Sequence, residues 1–282
     1  MIKTRINENG DLGYGYLLKW YVGIFLIALR RTSTREDLLS LIFMLLAPLL
    51  YLMGFKGKIR TPVGYVVIAN RGILRSFVYG FFKTHFAYMY GLRELSLERS
   101  FFSLIVDVGA NIGDFTLAMI KRAGKIVAVE PAEENFMALC ANLQINHVNN
   151  VVPIRVAAHN RQEEVFLQGA SSDMYVTQEK KGQLVKGMPL DLIIRELGIQ
   201  KIDILKIDVQ GHERSVLIGA QNLLEDKFVK LLIVEVHLKR GVSVGDIVSL
   251  MKAHGYSLIY KDAYQRLQPK LYFEPKYFQS KK

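Results

Sequence analysis

From residue 104 onward, short apolar runs alternate with segments whose apolar positions recur every three or four residues. The strand-like runs lie at 104–108, 125–130, 151–156, 203–209 and 229–237. Between and after them, helical periods run through 115–120, 132–145, 190–197, 212–224 and 243–254. Runs at 256–260 and 270–273 predict an antiparallel pair that closes the sheet. Nearly continuous apolar strands separated by helices predict an α/β fold with a doubly wound, mostly parallel sheet, whose ligand site lies outside the carboxyl ends of the strands.

The pattern before residue 104 is different. Two apolar runs, 20–29 and 38–55, flank Arg30, Arg31, Arg35, Glu36 and Asp37. The first is too short to span a bilayer. The second has 18 uncharged residues, about 27 Å at helical rise against a hydrocarbon core of about 30 Å, and Pro48 interrupts it. A crossing hairpin would place the arginines outside, against the positive-inside tendency, so the reading is a surface-lying or monotopic arrangement, with packing as soluble core the alternative. No signal peptide is read here. Residues 58–61 and 65–69, β-branched and separated by turn residues, predict a hairpin. The aromatic-rich stretch holding Phe77, Tyr79, Phe81, Phe82, Phe86, Tyr88 and Tyr90 predicts helix packed over the sheet edge. The chain therefore divides into an apolar, basic segment at 1–57, a hairpin and helical lead-in at 58–103, and the α/β domain at 104–282.

Charge sharpens this division. Residues 1–100 hold 14 Lys/Arg against 6 Asp/Glu, whereas 101–282 hold 23 against 20. The basic positions interleave with apolar runs rather than with a nucleic-acid motif, so the expected partner of residues 1–60 is an anionic membrane surface and not a nucleic acid. A single cysteine, Cys140, excludes an internal disulfide and sits in an apolar-periodic stretch, which reads as core. The six histidines lack metal-ligand spacing, so no metal is expected, and the compartment is read as cytoplasmic and reducing. Oligomeric state is not set by the sequence.

The chemistry begins at Asp107-Val108-Gly109-Ala110-Asn111-Ile112-Gly113. Gly109 and Gly113 let the backbone pass close beneath a ligand where strand turns to helix, and the following N–H groups face it. A nicotinamide dinucleotide loop would read G-x-G-x-x-G, and this one does not. Asp107, read as aimed at the ligand, repels a diphosphate but favours the cationic methionine portion of S-adenosylmethionine. Glu130, ending the second strand, stands where a ribose diol needs an acceptor.

These residues carry a family resemblance. The run 106–113, then Val127-Ala128-Val129-Glu130-Pro131 with Asn135 and Asn142, then Ala157-Ala158, then 203–213 with Asp208-Val209-Gln210-Gly211, resembles the FkbM family of S-adenosylmethionine-dependent methyltransferases over residues 104 to about 260. The resemblance implies a seven-stranded Rossmann-like sheet. It also implies that Asp107, Gly109, Ala110, Asn111 and Gly113 hold the methionine part, Glu130 and Pro131 the ribose, and Ala157 and Ala158 the adenine. Gln210 stands where the family has glutamate.

For catalysis the candidates are Asp208, Glu235 and His237, at the ends of the fourth and fifth strands. Lys206, Gln210 and Glu213 are the substrate-side candidates. Lys206 also reads as an ion pair with Asp208 or Glu235, and Glu213 as a loop cap. His85, His147, His159 and His254 are read as surface or packing residues, and nothing elevates His212. The resulting expectation is methyl transfer to a hydroxyl of a glycan, lipid-linked or natural-product acceptor. The alternatives are a non-catalytic S-adenosylmethionine-binding scaffold at a membrane, for which Gln210 would mark lost chemistry, and a nicotinamide oxidoreductase.

Overall fold

The computed structural model describes residues 49–276, apart from 62, 85–87, 170–172, 178 and 264–265, together with residues 42 and 46. The apolar run 20–29 and most of 38–55 lie outside the described residues. Among those described, no helix is long and apolar enough to cross a membrane.

The expected hairpin is present as β1 (Gly57–Thr61) and β2 (Gly64–Ile68), paired antiparallel. Helices α1 (Arg71–Lys83) and α2 (Met89–Glu94) follow, and then the sheet begins. Its parallel strands are β3 (Phe102–Val108), β4 (Ala123–Val129), β5 (Val151–Ile154), β10 (Ile202–Ile207) and β11 (Val229–Glu235). The antiparallel pair β12 (Tyr256–Asp262) and β13 (Lys270–Pro275) closes one edge. The spatial order is β12-β13-β11-β10-β3-β4-β5, so the chain winds outward from β3 in one direction and returns at β10 on the other side. The carboxyl ends of β3 and β10 thus flank the switch point, where a doubly wound sheet opens a crevice. Pro153 is accommodated because β5 is an edge strand, where a missing N–H donor leaves no partner unsatisfied.

Helices cover both faces. On one side α5 (Leu190–Glu196), α6 (Glu213–Ile218), α7 (Gln221–Glu225) and α8 (Val244–Ala253) bury Ile193, Val216, Leu224 and Ile247 against Val106, Leu205 and Val234. On the other, α3 (Asp114–Met119) and α4 (Glu133–Ile145) are joined by α1 and the hairpin. Helix α4 turns Asn135, Ala138, Leu139, Asn142 and Leu143 inward, the i, i+3, i+4, i+7, i+8 spacing of a single face. Cys140 flanks that stripe and is half-buried rather than core, and burial raises its thiol pKa, so it is no reactive thiolate.

Three features differ from the sequence reading. The third strand ends at Ile154, and after it lies a second sheet, β6-β9-β7-β8, formed by β6 (Ala157–Ala158), β7 (Glu163–Gln168), β8 (Tyr175–Thr177) and β9 (Gln183–Met188). The helix expected over 212–224 is broken into α6 and α7. At the break Gly219 passes so close to the His159 carbonyl oxygen that a Cβ there would lie 2.0 Å from it. The first helix of the α/β part gives way at Met119 to a 3-10 turn over Ile120–Arg122.

Two asparagines fasten the hairpin to the domain. Asn146 accepts from Tyr65 N–H and donates to the Tyr65 carbonyl, both at 2.7 Å, as a strand partner would. Asn142, fully buried, accepts from Val67 N–H and donates to the Ile112 carbonyl, each at 2.8 Å, so one side chain ties β2 to the glycine loop. Asn142→Ala leaves a buried donor and a buried acceptor unpaired. It is expected to lower stability by about 2–4 kcal/mol in denaturant unfolding, and an unchanged midpoint would contradict this account.

Candidate functional site

The strand β3 ends in a turn that only particular residues tolerate. Gly109, at φ +77°, lies against β10 so closely that a Cβ would sit 1.8 Å from the Asp208 carbonyl oxygen. Asn111 is also left-handed at φ +53°, a conformation asparagine tolerates better than most residues, and Gly113 at φ +92° caps α3. The turn is pinned by Gly109 and Ala110 N–H groups donating to the Val129 carbonyl, at 2.9 and 3.0 Å.

Beneath it lies a buried ion pair. Lys206 Nζ donates to Asp107 Oδ1 and to the Gly109 carbonyl, both at 2.9 Å, while Asp107 Oδ2 accepts from the Thr116 hydroxyl at 2.7 Å. Asp107 has no exposed surface and does not line the cleft. Its carboxylate is turned to Lys206 and Thr116 instead of outward, because the sheet interior demands that both charges be paired. Lys206 likewise faces the loop, with Asp208 Oδ2 further off at 3.8 Å. The expected ion pair of Lys206 with Asp208 is present at 3.8 Å, and a closer one with Asp107, at 2.9 Å, was not expected.

Above the turn is a cleft of about 720 Å³, the open solvent at its mouth included. One wall holds Gly109, Asn111, Glu130, Pro131 and Asn135, and the floor holds Asp208, Val209 and Gln210. Ala157 and Ala158, with Leu167 and Met174–Val176, form the opposite wall, so the second sheet supplies a side of the cleft. That sheet is tethered to the main body by Arg75 pairing with Asp173 and by Arg240 stacked 3.9 Å from the Tyr175 ring centre. Glu130 Oε2 accepts from Asn111 N–H at 2.8 Å and Oε1 from Ala132 N–H at 2.9 Å, each oxygen retaining capacity for a second donor. Burial pushes the Glu130 carboxyl up to about 7, against the two N–H groups, which pull it down.

At the other end of the floor, Asp208 opens onto a buried polar cluster. Tyr88 donates to Glu235 Oε2 at 2.8 Å and lies 3.3 Å from Asp208 Oδ2. Burial, with the charges of Asp208 and Glu235, raises the Tyr88 pKa well above its ordinary value. Lys270 Nζ is 3.2 Å from Glu235 Oε2. His237 Nδ1 contacts Glu213 Oε1 at 2.6 Å, and His237 Nε2 lies 3.7 Å from both Asp208 Oδ1 and Glu235 Oε1. Burial lowers the imidazole pKa, but the Glu213 hydrogen bond and the surrounding carboxylates outweigh it, and the net shift is upward. Glu235, His237 and Glu213 stand behind Asp208 and do not line the cleft. Glu213 also accepts from Gly211 N–H at 3.0 Å, which holds the Gln210-Gly211 turn, so it caps that loop and orients His237.

Gln210, at φ +54°, lines the cleft in the position its sequence neighbours suggested. Ala110 and Gly113 shape the loop without lining it. His212, which follows the Gly211 turn within reach of a substrate, also lines the cleft; its stacking on His159 was not foreseen, with ring centres 4.8 Å apart and Nε2 contacting His159 Nδ1 at 2.6 Å. His159 in turn meets Glu163 Oε1 at 2.6 Å. Burial, then the neighbouring His159, pulls His212 down to about 4, so this imidazole is neutral at physiological pH. The available signal was the alternation of buried Val165 and Leu167 in β7, which predicts a strand carrying Glu163 toward the domain.

Residues 107–258 match the model of the methyltransferase FkbM domain. The chain is 26% identical over 163 residues to the hexuronic acid methyltransferase AglP of Haloferax volcanii, covering 57% of this chain and 66% of that one. It is 29% identical over 192 residues to the 31-O-demethyl-FK506 methyltransferase FkbM of Streptomyces tacrolimicus, covering 55% of this chain and 73% of the relative. Among solved structures it resembles M. capricolum TrmK in complex with S-adenosylhomocysteine, with TM-score 0.44, 12% identity, and coverage of 67% of this chain and 68% of that one. With the glycine turn, the acidic end of β4 and the match over more than half its length, the chain belongs to the FkbM family of S-adenosylmethionine-dependent methyltransferases.

Proposed function

We propose that this chain transfers the methyl group of S-adenosylmethionine to a hydroxyl oxygen of a glycan, lipid-linked or natural-product acceptor. The observation that carries the reading is the placement of Asp208 on the cleft floor with Glu235, His237 and Glu213 buried behind it. The two relatives' names support the acceptor class: one specifies a hexuronic acid and the other an oxygen-linked methyl.

In this reading the ribose diol donates to Glu130 beside Pro131, the adenine lies against Ala157 and Ala158, and the methionine part rests over Gly109 and Asn111. Asp107 acts through Lys206 to hold the loop, as do Ala110 and Gly113 through its backbone. Gln210, without a titratable group, orients by hydrogen bonding. The acceptor oxygen forms a bond to the methyl carbon as the carbon–sulfur bond breaks, the electron pair staying on sulfur. The hydroxyl proton passes to Asp208, the carboxylate that lines the cleft. Positioning in line accounts for most of the acceleration and the proton acceptor for the rest.

Three outcomes are expected. Because the ribose hydroxyls need an ionised acceptor, affinity for S-adenosylhomocysteine should be full above pH about 7 and fall as the pH drops through about 7. Glu130→Gln should bind more weakly, by about 1.5–3 kcal/mol, with a flat profile in calorimetry, and a flat wild-type profile would contradict the assignment. Asp208→Asn should lower turnover by about 10²- to 10⁴-fold with cofactor affinity unchanged, and full turnover would leave the carboxylate a structural role.

A membrane role is favoured by a separate observation. Ile42, Leu46, Leu49, Tyr51, Leu52 and Met53 are all exposed, and they follow a basic N-terminal region. We infer that residues 1–60 dock on anionic lipid. The full chain is expected to float with phosphatidylserine vesicles and not with neutral ones, and failure to do so in low salt would contradict docking.

A further inference from the structure

We infer that Asp208, Glu235 and His237 form a binding site for one divalent metal ion, with Glu213 as the residue that orients the histidine. This rests on and deepens the proposed methyl transfer, because the ion would lie behind Asp208, the residue that meets the acceptor hydroxyl in the cleft.

The donor geometry comes first. Asp208 Oδ1, Glu235 Oε1 and His237 Nε2 all lie within 4.8 Å of one another, and the imidazole nitrogen is 3.7 Å from each oxygen. Two donors bound to one ion at about 2.1 Å lie about 3.4 Å apart at a tetrahedral angle and about 4.2 Å apart when opposite, and both 3.7 Å nitrogen–oxygen separations fall in that range. The carboxylates are divided in function. Their other oxygens face cations or a hydroxyl: Glu235 Oε2 meets Lys270 and Tyr88, and Asp208 Oδ2 meets Tyr88 and, at 3.8 Å, Lys206. The inward oxygens face the histidine.

The histidine supplies an independent observation. His237 is 2% exposed, its Nε2 has no hydrogen-bond partner among the described residues, and it points between two carboxylates. Its Nδ1 is engaged by Glu213 at 2.6 Å. An imidazole that donates Nδ1–H to a carboxylate presents the Nε2 lone pair, and a metal ion between that lone pair and the two carboxylates would satisfy all three. This carboxylate–histidine arrangement is the outer support that metal-ligating histidines usually have. Charge agrees with it: Asp107, Asp208, Glu213 and Glu235 are four carboxyl groups against the two ammonium groups of Lys206 and Lys270, an excess that a divalent ion neutralises. Two oxygens and one imidazole nitrogen suit Mn²⁺ or Zn²⁺ better than the oxygen-seeking Mg²⁺. An ion here would fix the orientation of Asp208 at the cleft, and so position the carboxylate that receives the hydroxyl proton.

The test uses the full chain, stripped with chelator and dialysed, without cofactor. Mn²⁺ is titrated while the paramagnetic resonance signal of the free ion is followed, and S-adenosylhomocysteine binding is measured separately by calorimetry. One saturable Mn²⁺ per chain is expected. His237→Gln should abolish it, and Glu213→Gln should weaken it by about 10- to 100-fold while retaining the site. A folded wild type that binds S-adenosylhomocysteine but no Mn²⁺ or Zn²⁺ overturns the metal site and leaves the methyl-transfer reading standing, with His237 held by a proton instead. Undiminished Mn²⁺ binding in His237→Gln, its fold confirmed by circular dichroism, also overturns it. Metal bound without S-adenosylhomocysteine binding upholds the site and rejects the cofactor assignment on which its role rests.

Discussion

A single ammonium group at the centre of the sheet organises the functional end of this protein. Lys206 is almost wholly buried, and an unpaired charge there would be prohibitive, so its partners are obligatory. Those partners are the carboxylate of Asp107 on the adjacent strand and the carbonyl of Gly109 one turn beyond. One side chain therefore clamps β3 to β10 where they diverge, and fixes the height of the glycine turn above the sheet. One part of the cleft is built on that turn, through the Asn111 N–H bonded to Glu130. Another begins at Asp208, two residues beyond Lys206 and just past the end of the same strand.

The two sides obey different electrostatic rules. The loop side presents backbone N–H groups and one carboxyl whose charge is suppressed by burial. Behind Asp208, by contrast, carboxylates, ammonium groups, a tyrosine and a histidine are packed where no solvent screens them, so each group's state is set by its neighbours. The left-handed Gln210-Gly211 turn lies between these environments. It is anchored by Glu213, which holds His237 as well, so the shape of the cleft floor and the orientation of the buried imidazole share one residue.

Much of this was legible in the sequence because it depends on local periodicity and short motifs. The order of strands and helices, the hairpin and the cleft positions of Gly109, Asn111, Glu130 and Asp208 follow from such signals, whereas those of Ala157, Ala158 and Gln210 were read only from the family resemblance. What was not legible depends on pairings across long sequence distances. Asp107 reads as a ligand contact until Lys206, 99 residues later, is seen to neutralise it. Lys270 and Tyr88 join Glu235 from opposite ends of the domain, and His159 gains its role only when Gly219 allows the chain to pass against its carbonyl. The second sheet has short strands with half-exposed faces, whose alternation is weak beside the buried core runs.

The central claim is that the turn between β3 and α3, with Glu130 beside it, accepts the adenosine and methionine portions of one cofactor and rejects a dinucleotide. Calorimetric titration of the full chain with S-adenosylhomocysteine and, separately, with NAD tests this most directly. One saturable site for S-adenosylhomocysteine with no heat from NAD is the predicted result. Saturable NAD binding, with none for S-adenosylhomocysteine, would contradict it.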